Sequence, residues 1–78
     1  MGTHTMLMLM KNAVDNKDTS EKTVNRIRTF LESELRLSPI KLPIKKLAMA
    51  TLELLGVEKY SNDEEIEYSK AILQYELQ

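Results

Sequence analysis

No cysteine occurs in the 78 residues. That excludes disulfides and thiolate zinc sites. His4 is the one histidine, so a histidine-based metal site is nearly excluded as well. Two glycines and two prolines are too few for the many tight turns of an all-β fold. Gly2 and Gly56 are also too far apart to form a glycine loop that cradles phosphate. The longest strongly apolar run is Met6-Leu7-Met8-Leu9-Met10. It falls well short of the ~20 residues of a membrane span and is short for a signal-peptide core. Together with the missing cysteine, which is compatible with a reducing compartment, this gives the expectation of a soluble, cytoplasmic protein.

A chain this short is expected to form one domain that buries only ~60–65 % of the surface its unfolded form exposes. Small scaffolds usually need a staple. With disulfides and metals removed from the choices, well-packed helices or association with a partner remain. Met1-Gly2-Thr3-His4-Thr5 has the look of a leader or tag remnant, and the methionines that follow leave the natural start open.

The net charge of −1 says little, but its distribution says more. From Lys22 to Lys46 seven cations face only Glu32 and Glu34, a net of +5. From Glu53 to Gln78 seven acids face only Lys59 and Lys70, a net of −5. A basic middle is followed by an acidic tail. No internal repeat or low-complexity tract interrupts the chain.

The expected fold class is all-α, a small helical bundle of three long helices with a short N-terminal one. The first segment, about residues 5–14, is rich in unbranched Met and Leu and favours helix. A strand stays open there because the run is apolar at every position. The second helix is expected over about 20–37, with Asp18 or Thr19 capping it and Glu21 completing the start signal. Val24, Ile27, Leu31 and Leu35 form its apolar stripe, beside Phe30. Pro39 ends it, since a residue before proline is biased out of the α region. The third helix, about 43–55, opens with Pro43 as its first residue. It is apolar around most of its circumference and is therefore expected at the centre. Gly56 supplies a left-handed cap and Val57 its hydrophobic contact. The fourth helix, about 62–77, follows a capping box from Ser61 to Glu64, with acids at Asp63, Glu64 and Glu65 favouring the positive helix end.

The fourth helix carries two apolar stripes at ~100° per residue. Ile66, Leu73 and Leu77 cluster on one side; Tyr68, Ala71, Ile72 and Tyr75 cluster on the other. Packing on one core requires only one stripe. Either the helix is gripped on both sides within its own fold, or the tyrosine stripe faces a second chain. Tyrosine suits the second role, because its ring is apolar and its hydroxyl tolerates a wet rim. The partner-binding candidates are therefore Tyr68, Ala71, Ile72 and Tyr75, joined by the Met6–Met10 segment.

Arg26, Arg28, Lys41, Lys45 and Lys46 are the nucleic-acid candidates of an alternative reading, a DNA-associated regulator. The third and fourth helices would then form a helix-turn-helix. Against it, the supposed recognition helix opens with Asp63, Glu64, Glu65 and Glu67, which phosphates repel. The connection from Gly56 to Ser61 also exceeds the usual turn, and the chain lacks a basic excess. The favoured explanation of the basic stretch is a helix lying against the acidic one, in the same fold or across a dimer.

No catalytic constellation is legible. A nucleophile needs a positioned base, and the sole histidine lies in the leader. The run Asp63-Glu64-Glu65-Ile66-Glu67 lacks the glycine and alternating ligands of a calcium loop. No cofactor, metal or small-molecule substrate is expected. The sequence reads as a non-enzymatic interaction or regulatory module whose partner is another protein or a second copy of itself.

Overall fold

The computed structural model describes residues 2–75. Its elements in chain order are α1 (Thr3–Asn16), α2 (Glu21–Phe30), β1 (Arg36–Leu37), β2 (Leu42–Pro43), α3 (Ile44–Leu54) and α4 (Glu64–Gln74). The molecule is mostly helical, as expected, with one addition, a two-stranded antiparallel hairpin pairing Arg36 with Pro43 and Leu37 with Leu42.

The Met/Leu segment is helical, and longer than expected. α1 starts at Thr3, inside the residues read as a leader, and ends where Lys17 turns left-handed at φ 50°. The Asp18 amide then donates back to the Ala13 carbonyl at 2.9 Å. The cap of α2 is Ser20, not Asp18 or Thr19. Its hydroxyl accepts from the Thr23 amide, while the Asp18 carboxylate supports the turn by accepting from the Ser20 amide (3.0 Å) and the Thr23 hydroxyl (2.7 Å).

α2 ends at Phe30 rather than near Leu37. The amides of Glu32 and Ser33 donate to carbonyls only three residues back, and the Ser33 hydroxyl accepts from the Leu35 amide at 3.1 Å. Such local side-chain bonds compete with the helical ladder. Once out of the helix, the chain buries Leu37 and Leu42, one from each strand, and leaves Leu35 48 % exposed. The expected stripe therefore holds through Val24, Ile27 and Phe30, all buried, and fails at Leu35. Pro43 closes β2 and caps α3 with an extended backbone; it is not the first residue of the helix.

α3 is central. It packs against α1, α2, α4 and the hairpin, and Ile44, Leu47, Ala48, Ala50, Thr51 and Leu52 are buried on it. Gly56 adopts φ +77° and the Val57 amide donates to the Leu52 carbonyl at 3.0 Å, closing the helix as the sequence foretold. α4 is capped by Asp63, two residues beyond Ser61. Its carboxylate accepts from the amides of Glu65 (2.7 Å) and Ile66 (3.2 Å). The helix covers a shorter range than expected, Glu64–Gln74. The expected core position Leu77 lies outside the described residues.

The buried hydroxyls of Thr51 and Ser69 donate to the carbonyls of Leu47 (2.7 Å) and Glu65 (2.6 Å) in their own helices. Among the described residues no buried side-chain nitrogen or oxygen lacks a partner. No helix there is long and apolar enough to cross a membrane.

Candidate functional site

The two stripes of α4 have different fates. Ile66, Ser69 and Leu73 are buried against the rest of the fold. Tyr68 and Tyr75 are 51 % and 63 % exposed, Ala71 is exposed, and Ile72 is half-buried. The tyrosine side is not gripped from above by α1. Instead α1 lies beside it, and the two helices form the walls of an open groove of about 390 Å³.

His4, Leu7, Met8 and Lys11 line the groove from α1; Tyr68, Ala71, Ile72 and Tyr75 line it from α4. The four α1 positions recur at helical spacing, so one face of the helix faces the groove. All four sequence candidates on α4 are brought together here. Leu7 and Met8 fall within the Met6–Met10 segment singled out with them. His4 was missed because the start of α1 inside the apparent leader was not legible; Lys11 lay within the expected first helix, but nothing in the sequence alone set it against α4. Of the exposed large apolar residues among those described, Met8, Tyr68 and Tyr75 belong to this groove, and Leu35 and Ile40 lie on or beside the hairpin.

Lys11 holds the groove together at one end. Its ammonium donates to the Leu73 carbonyl at 3.2 Å and also to that of Tyr75. A helix C-terminus leaves carbonyls without internal partners and carries partial negative charge. A cation contributed by α1 therefore caps α4 and fixes how the two groove walls meet.

The basic candidates are dispersed. Arg28 on α2 pairs with Glu58 at 2.9 Å, and Lys46 on α3 pairs with Asp63. Both contacts link the basic middle to the acidic tail within the fold. Lys41 turns the hairpin at φ 58°, its carbonyl accepting from Arg36 at 2.9 Å. Lys45 borders a shallow cleft with Lys46, Arg36, Glu34 and Glu65, cations and acids together. Arg26 lines a separate cleft between α1 and α2, with Asn12, Asn16 and Lys22. α4 opens with Glu64, Glu65 and Glu67 in its first turn.

A second ionic group ties α4 down. Lys70 reaches both Glu53 on α3 and Glu67 on its own helix, and Glu53 also accepts from the Tyr60 amide at 3.1 Å. The Lys70 ammonium and the Tyr60 amide hold the Glu53 carboxyl below the usual carboxylate range, and Glu53 in turn raises Lys70. Asp63 is lowered chiefly by Lys46, and Asp18 by Ser20 and Thr23. These acids are fixed as carboxylates by structural partners. Among the described residues, no group of three or more His, Cys, Asp or Glu side chains is placed to hold a metal ion.

Comparison with protein-family models, curated proteins and solved structures finds no match to this chain.

Proposed function

We propose that the protein is a non-enzymatic interaction module that associates with a second copy of itself through the groove between α1 and α4. The supporting observation is the exposure of the Tyr68–Tyr75 stripe beside an apolar face of α1. The interior is already closed by Ile66 and Leu73, so the tyrosines are not required there. Tyr and Met are favoured where a surface is alternately wet and covered: tyrosine gives a large contact at little entropic loss, and methionine adapts its shape. Removing such side chains from water at about 25 cal/mol per Å² is the driving force.

The nucleic-acid reading has less support, because Arg28 and Lys46 are paired with acids inside the fold. Light scattering across a concentration series tests the proposal. The mass should rise from monomer toward dimer, and Tyr68→Ala with Tyr75→Ala should hold it at monomer with helicity retained. A wild-type chain that stays monomeric to near-millimolar concentration overturns self-association. Salt-sensitive binding to duplex DNA would replace it with the alternative.

A further inference from the structure

We infer that the two copies meet about a two-fold axis passing between Ala71 and Ile72, with α4 packed antiparallel to α4 of the other copy. The inference rests on self-association as proposed above and adds its geometry. Two features of the groove support this arrangement, and a third sets its strength. The first is size. Tyr68 and Tyr75 flank Ala71 and Ile72 on the same stripe, so the small exposed side chain sits near its middle. An axis at that point sets Ala71 of each copy against Ile72 of the other, so the small side chain makes room for the larger one and the helices can approach closely. An axis there sets Tyr68 of one copy opposite Tyr75 of the other, ring against ring, twice over.

The second feature is charge. The stripe begins beside Glu64, one turn before Tyr68, within an acidic first turn. It ends where the Lys11 ammonium caps the carbonyls of Leu73 and Tyr75. One end is anionic and the other cationic. An antiparallel pair places each acidic end beside the other copy's Lys11, which has three donors and two bonds within its own chain. A parallel pair would set acid against acid. The helix dipoles point the same way, since opposed ends attract.

The third feature is area. α4, with 11 residues, is about 16 Å long and ~10 Å wide. With the neighbouring face of α1 the contact covers on the order of 350 Å² in plan. A standard interface buries ~800 Å² on each partner. Even with α1 the contact is less than half of that, so association is weak and reversible.

The absence of cysteine permits a clean test. Ala71→Cys introduces a lone thiol beside the axis. Under mild oxidation it should join two chains, whereas a thiol at exposed Asn25 on α2 should not; a disulfide needs the Cα atoms within ~7 Å. Ala71→Arg puts a long cation on the axis at a position that already faces solvent. It should weaken dimerisation at least about tenfold while circular dichroism retains the wild-type helicity. A dimer untouched by Ala71→Arg, or no cross-link through Cys at 71 above the control, overturns the two-fold geometry and leaves self-association standing. A wild-type monomer at every concentration overturns both.

Discussion

Two truncations on the same helix separate an inward face from a docking face. Leu73 is fully buried and Tyr68 is 51 % exposed. Leu73→Ala removes three carbon atoms from the interior and leaves a cavity, which costs about 2–5 kcal/mol. A domain of 78 residues has a total stability of about 4–12 kcal/mol. The substitution therefore removes a large share of it and lowers the urea midpoint steeply. Tyr68→Ala leaves no cavity in the lone chain, and exposed substitutions stay within about 0.5 kcal/mol, or near 1 where a ring is half covered. Urea unfolding should be followed by circular dichroism at low micromolar protein and again at a concentration a hundredfold higher. For wild type the midpoint should rise with concentration, because a dimer contributes stability by mass action. For Tyr68→Ala it should not. Equal losses for both variants at low concentration would refute the reasoning, since the tyrosine would then be an internal support.

Gly56 has open space around its missing side chain but sits at φ +77°; Gly56→Ala should therefore cost ~1–2 kcal/mol from backbone strain alone, read as a lower urea midpoint. Asp18, Glu53 and Asp63 are all held below the ordinary carboxylate range. As pH falls the unfolded chain takes up their protons first, so stability should be level near neutrality and decline below about pH 4.5; Glu53→Gln should flatten part of that decline in a pH series of urea melts. Lys11→Met keeps the apolar stem and removes the ammonium that caps α4. Amide hydrogen exchange should quicken in the last turn of α4 while α3 stays protected.

Most of the helical content was legible in the sequence, as were the central position of α3 and the cap at Gly56. Each depends on local geometry: the unbranched Met and Leu of α1, the all-round apolar character of α3, a glycine free to turn left-handed. The N-terminal caps were misplaced by one or two residues, because Asp18, Thr19 and Ser20, like Ser61 and Asp63, are adjacent alternatives of similar chemistry. The hairpin was missed for a deeper reason. Leu31 and Leu35 fit a helical stripe, while Leu35 and Leu37 alternate as strand residues would, and local preference does not choose between them.

The amino-acid order by itself determined that α4 has two apolar faces, since the angular positions of Ile66, Tyr68, Ala71, Ile72, Leu73 and Tyr75 follow from the helical repeat alone. Only the tertiary structure decided that the tyrosine face stays open, that α1 lies beside it rather than over it, and that Lys11 ties the two together. The periodicity of a helix is a property of its own residues. Which face is covered depends on where helices distant in sequence find room to pack, and here α3 occupies the inner face and leaves the outer one to solvent.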